Sequence, residues 1–204
     1  MLVCYCPLTV QKVRPVLKRL LLVFLFVLPF GACAKDSLAD TAIDAALDKP
    51  AGLYNLGVEF YTGKRVAKDL SKSAKLWQKA AALGVVSAKN NLGFLLFTGK
   101  GIEQDRSKAV ALWRDAASQG HDEAQLHLGE ALFDGEGIRA DRTTGAAWVL
   151  SAQKHAALNK DAAMIEMTST ASSRLVAALT KDERKRAHSL AMELFQRHPA
   201  PKNE

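Results

Sequence analysis

Cysteine is nearly absent from this 204-residue chain, and the three that occur, Cys4, Cys6 and Cys33, fall at its beginning. Past position 33 there is no thiol, which excludes a disulfide framework, a zinc–thiolate centre and a cysteine nucleophile from the rest of the chain. Long apolar runs are equally scarce. One stands out, residues 20–30, and its 11 residues fall short of the ~20 that a helix needs to cross a ~30 Å hydrocarbon layer. No His-Glu-x-x-His, Gly-x-Ser-x-Gly or glycine-rich phosphate loop is present, so the corresponding hydrolase and nucleotide chemistries have no motif to rest on. Nor is charge lopsided. The formal +7 includes four cations before position 35 and no acid there, so the remainder carries +3. The run Arg184-Lys185-Arg186 is interrupted upstream by Asp182 and Glu183 and reads as the wet face of a helix. Without a basic stripe interleaved with aromatics, nucleic acid is not an expected partner.

What the chain does have is a period. Leu-Gly recurs at Leu56-Gly57, Leu92-Gly93 and Leu128-Gly129, 36 residues apart both times. Each pair is followed by a large apolar residue (Phe60, Leu96, Leu132), an aromatic (Tyr61, Phe97, Phe133), a glycine (Gly63, Gly99, Gly135) and an aspartate (Asp69, Asp105, Asp141). Self-similarity at this spacing marks a solenoid, whose units bury apolar faces only by stacking on one another. Within the second copy, residues 86–98 place Ala88, Leu92, Gly93 and Leu96 on one helical stripe, closed by Gly99 and Gly101. A second helix opens at Asp105, a good N-cap, carries Ala109, Leu112, Trp113, Ala116 and Ala117 inward, and ends at Gly120. A glycine inside a helix costs roughly 1 kcal/mol, so Gly57, Gly93 and Gly129 call for close approach by the partner helix. Ala80, Ala81, Ala116, Ala117 and Ala152 are the residues expected to face them.

Leu-Gly, a large residue at plus three, Gly-x-Gly, an apolar residue, x-x-Asp, then Ala and Trp before Ala-Ala and a final Gly: this frame resembles the Sel-one-like repeats (SLR), relatives of the tetratricopeptide repeats. The second copy matches most fully. The first departs at Arg65, where a second loop glycine belongs; the third has Trp148 shifted by one place and Ala156 in the slot of the final glycine. The resemblance implies an all-α, right-handed α-solenoid of three helix-turn-helix hairpins plus a C-terminal capping helix pair. The divisions expected are a signal peptide at 1–34, a capping helix and linker at 35–50, repeats at 51–84, 85–120 and 121–156, capping helices at 157–198 and a tail at 199–204. Past residue 156 the Leu-Gly slot holds Met164-Ile165, and Thr180 to Glu183 reads as a capping box opening a last helix.

Lys12, Arg14, Lys18 and Arg19 precede the apolar run, and Gly31-Ala32-Cys33-Ala34 follows it, the pattern of an export signal. Ala32-Cys33-Ala34 fits ordinary cleavage before Lys35; Phe30 to Cys33 also resembles a lipobox in which Cys33 is lipidated. Both readings place the mature chain outside the cytoplasm, in a bacterial periplasm or on the outer membrane as a lipoprotein, or secreted.

Chemistry-bearing residues are few. Glu123 and His127 stand one turn apart with His121 just before them, a spacing met more often in surface pairs than in metal sites, so no metal or cofactor is expected. Asp69, Asp105 and Asp141 lie a repeat apart and suit helix caps. His155, His188 and His198 have no evident partner. An enzyme, for instance a hydrolase, is therefore disfavoured. By register with tetratricopeptide repeats, a concave groove would be lined by Tyr54, Val58 and Tyr61; by Asn90, Phe94 and Phe97; and by Leu126, Glu130 and Phe133. Tyr61, Phe97 and Phe133 are favoured as core between hairpins, whereas Tyr54 and Phe94 are the better candidates for exposure. The resemblance implies a non-catalytic protein-binding module of the envelope, an adaptor or regulator. A periplasmic immunity protein that occludes a secreted effector is the alternative.

Overall fold

The computed structural model describes residues 37–199; the leader, Cys33 and residues 200–204 lie outside them. Among the described residues there are nine helices and no strand: α1 Leu38–Ala46, α2 Pro50–Thr62, α3 Leu70–Ala82, α4 Val86–Thr98, α5 Arg106–Ser118, α6 Asp122–Asp134, α7 Arg142–Asn159, α8 Ala162–Ala177 and α9 Lys181–Arg197. None of them is long and apolar enough to cross a membrane. Helices α2 and α3, α4 and α5, and α6 and α7 pack as pairs, the hairpins stack in order, and α8 and α9 both pack on α7. That is an all-α solenoid, as the 36-residue period requires.

The caps follow from the sequence. Asp69, Asp105 and Asp141 accept hydrogen bonds from the backbone N–H of Lys72, Lys108 and Thr144 at 2.9, 2.9 and 3.0 Å, so each starts the second helix of its hairpin. The capping box at Thr180 forms in both directions, with Glu183 accepting from the Thr180 N–H at 2.8 Å. The departure at Arg65 also has a physical reason. Gly101 and Gly137 take φ of +74° and +72°, and a Cβ there would lie 2.5 Å from the backbone of Leu70 and 2.6 Å from that of Arg106, the first residues of the preceding hairpin's second helix. Among the described residues only the single helix α1, from Leu38, precedes the first hairpin, and position 65 carries a side chain, which reaches Glu59 at 2.7 Å.

The glycines of the Leu-Gly pairs are buried, but not against the alanines expected. A Cβ on Gly57 would lie 2.5 Å from the Trp77 indole nitrogen, and one on Gly93 2.6 Å from that of Trp113. The space belongs to the indole, whose N–H donates to the carbonyl one turn earlier, Tyr54 at 3.2 Å and Asn90 at 3.1 Å. In the third hairpin Trp148 stands one place early, and Val149 fills the slot. Here Gly129 meets the Val149 side chain and the Gly145 carbonyl, so two helix backbones approach directly. Ala80, Ala116, Ala117 and Ala152 are buried elsewhere in the core.

Lacking the final glycine, α7 runs through Ala156 to Asn159 and is 18 residues long, against 13 for α2 to α6; Lys160 makes the left-handed stop at φ +56°. The extra length lets α9 lie along it. Ala191 and Leu194 of α9 join the main core, which runs from Ala45 to Trp148, while Ala187 joins a second cluster of Leu126, Ala146, Val149, Ala171, Leu175 and Leu179. At the far end of α9 the His198 imidazole stacks on Trp148 at 5.4 Å and its Nδ1 lies 2.8 Å from the carbonyl oxygen of Ser118, in the second hairpin. His155, fully buried in α7, sits 3.1 Å from Asp122 and 4.7 Å from the Phe195 ring. Two of the three histidines without an evident partner therefore tie the C-terminal helix to the array. His188 is exposed.

Candidate binding groove

Tyr54, Val58 and Tyr61 from α2, Asn90, Asn91 and Phe94 from α4, Glu123 and His127 from α6 and Met167 from α8 line one cavity of about 360 Å³, with Trp77 behind them. Side chains of four successive first helices converge on a common space only if those helices form the inner side of a curved stack. A second cavity of about 260 Å³ shares Phe94 and His127 with it and continues past Phe97, Trp113, Glu130 and Asp134, making one trough along α4 and α6.

The trough is shaped by the tryptophans beneath it. Tyr61 packs on Trp77 with centroids 5.3 Å apart, and Phe97 on Trp113 at 5.0 Å, so both are wall and core at once. His127 lies on the same indole at 4.8 Å and beside Phe94 at 6.2 Å. The ammonium of Lys100 sits 5.3 Å above the Phe94 ring.

Four of the expected groove residues stand elsewhere or act otherwise. Leu126 is core: α8 packs over this part of α6, leaving the side chain 3% exposed among Ala171, Leu175 and Val149. Phe133 packs against that same cluster with the Arg142 guanidinium 4.9 Å over its ring, and lines neither cavity. Asn90 is floor, 1% exposed, its amide donating to Glu123 at 2.8 Å. Glu130 lines the trough but is held by Arg174, at 3.1 Å.

Glu123 and His127, read from sequence as a surface pair, turn out to sit in the groove. Their spacing gave no sign of this, because only the stacking of the next helix decides which turn of α6 faces the trough. The nearest imidazole–carboxylate distance is 3.8 Å. The His127 ring beside it holds the Glu123 carboxyl below the usual carboxylate range, against the opposing pull of burial, with His121 and the Asn90 amide helping. His121 is the N-cap of α6, its Nδ1 accepting from the Ala124 N–H at 3.3 Å, and burial pushes its pKa down. Among the described residues no cluster of three histidine, aspartate or glutamate side chains has the geometry to hold a metal ion.

Stacked helical hairpins around a shared inner trough define an α-helical repeat protein. Residues 50–85, 86–121 and 122–152 match the model of the Sel1 repeat, and the chain belongs to that family. Its fold is similar to that of c5321, a protective antigen present in uropathogenic Escherichia coli strains and displaying an SLR fold, at a TM-score of 0.69 and 24% identity over 90% of this chain and 38% of that one. The chain thus spans well under half of that antigen's length. A Sel1 repeat protein from Oxalobacter formigenes is similar at a TM-score of 0.53 and 21% identity, over 65% of this chain and 97% of the other. No curated protein matches the sequence significantly.

Proposed function

We propose that this chain is a non-catalytic adaptor or regulator of the bacterial envelope that holds a partner protein in the trough. Sel1 repeats generally mediate protein–protein interaction. The observation that carries the reading is the convergence of Tyr54, Tyr61 and Phe94 from two hairpins on one open cavity, with their rings half-buried and backed by Trp77. Tyr and Phe in such positions give large contact area for little lost side-chain entropy, and binding energy concentrates on residues of this kind. The envelope location rests on the basic and apolar leader before residue 35.

The experiment is affinity capture from native envelope extract by the wild-type chain and by a Tyr54→Ala/Phe94→Ala double variant of unchanged helicity. One stoichiometric partner, retained by the wild type and reduced at least about tenfold by the variant, is the expected result. Equal capture by both chains refutes the groove. Cell fractionation of the chain with and without residues 1–34 tests the location.

A further inference from the structure

Charge is divided between the two layers of the solenoid. The inner helices α2, α4, α6 and α8 carry six acidic residues (Glu59, Asp122, Glu123, Glu130, Asp134, Glu166) and two basic ones (Lys89, Arg174). The outer helices α3, α5 and α7 carry eight basic residues and one acidic, Asp115. Both inner cations are already engaged. Lys89 pairs with Asp115 at 2.8 Å, and Arg174 with Glu130 at 3.1 Å and Asp134 at 3.5 Å. Glu136, at the end of the trough, pairs with Arg106 at 3.4 Å.

Glu123 is different. Among the described residues no lysine or arginine pairs with it, although its side chain is 43% exposed and opens into the cavity shared with Tyr54, Tyr61 and Phe94. The Asn90 amide fixes one carboxylate oxygen at 2.8 Å, which orients the group without neutralising it. A fixed carboxylate among aromatic faces is complementary to one kind of ligand group. The carboxylate supplies a charge-assisted hydrogen bond, and the rings supply the attraction of their faces for a cation. Lys100 over Phe94 already shows a ring of this trough accepting an ammonium.

The geometry points to a specificity subsite in which Glu123, with the rings of Tyr54, Tyr61 and Phe94, takes a lysine or arginine side chain of the partner protein. This deepens the groove reading and rests on it. An acidic partner segment is repelled by the same inner face, so the subsite selects as well as binds.

The test is selection of a phage-displayed library of random twelve-residue peptides on the immobilised wild-type chain, followed by titration of synthetic versions of the selected peptides. Enrichment of peptides with a lysine or arginine is expected. Replacing that residue by norleucine weakens binding about tenfold, and Glu123→Gln, which keeps an acceptor for Asn90, weakens the basic peptide by the same factor while leaving the norleucine peptide unchanged. Peptides that depend on Tyr54 and Phe94 but carry no cation, or that bind Glu123→Gln equally well, overturn the subsite and leave the groove standing. Selection of no peptide by the folded wild type overturns both.

Discussion

Hairpins two and three share a register, yet they solve the same packing problem with different atoms. At Gly93 the missing side chain makes room for the Trp113 indole, which fills the space and donates to the carbonyl of Asn90. At Gly129 the room is taken by Val149 and by the backbone of Gly145, whose own Cβ would lie 2.5 Å from the Gly129 carbonyl. The recurring glycine is therefore a requirement for space and not for one kind of neighbour. Where an aromatic ring fills the gap, the hairpin gains a hydrogen bond and a platform on which Phe97 and His127 lie; where backbones meet, it gains a tighter helix pair and no platform. The inner trough runs over the indoles and ends where they end.

The largest expected effect separates these two arrangements. Gly93→Ala places a methyl group against a rigid indole and costs about 2–3 kcal/mol by urea unfolding, and Gly93→Leu more. Adding Trp113→Val relieves the clash, so a double-mutant cycle gives a favourable coupling of about 1–2 kcal/mol. Gly129→Ala is as costly, but adding Val149→Ala relieves one clash and leaves the Gly145 carbonyl in place, so the coupling is smaller, below about 1 kcal/mol. Equal rescue at both sites would erase the distinction.

A middle-sized effect concerns how the two hairpins begin. Val85 gives α4 no side-chain cap, whereas His121 caps α6 through an unprotonated Nδ1. Burial holds the His121 pKa below its ordinary 6.5, with Asp122 and Glu123 opposing and His127 adding to the depression. The unfolded chain takes up this proton first, so stability is full above about pH 6.5 and falls as pH drops through the folded value. The lowered Glu123 carboxyl adds a further loss on acidification below its ordinary 4.5. Thermal melting between pH 7.5 and 5 is expected to show the decline, and His121→Asn, which keeps a capping acceptor, flattens it.

The smallest effect lies at the hairpin ends. Hairpin two stops at Gly120, φ +84°, and hairpin three at Lys160, φ +56°. Gly120→Ala is expected to cost about 1 kcal/mol, and Lys160→Gly to gain about 0.5–1 kcal/mol, because only glycine takes this conformation without steric penalty. Denaturant midpoints of the two variants check both signs.

The helices were legible because their signals are local. A 36-residue period, three aspartate caps and a capping box each act within one turn, and all lie where chain pattern alone puts them. The partner of Gly93 was not legible, since alanine and tryptophan both project from α5 and only the crossing of two helices decides between them. Leu126 illustrates the same limit. Its position in the repeat is that of Tyr54 and Asn90, but α8 covers it, and nothing within the third copy announces what the chain does 40 residues later. Glu123 was misplaced for the converse reason: a charged residue one turn from a histidine looks like surface until the neighbouring hairpin encloses it.

In a stack where each unit touches only the next, unfolding would begin at either end and proceed unit by unit. The His198 link to the second hairpin changes that, because α9 closes a loop of 80 residues back to Ser118. Releasing the C-terminal helix exposes the Trp148 face and both core clusters together, so the last two hairpins and the cap open as one cooperative unit. Among the described residues the first hairpin, flanked by α1 and by the second hairpin, has no such clasp. Amide hydrogen exchange should therefore fall into two classes along the chain, fast through α1 to α3 and uniformly slow from α4 to α9.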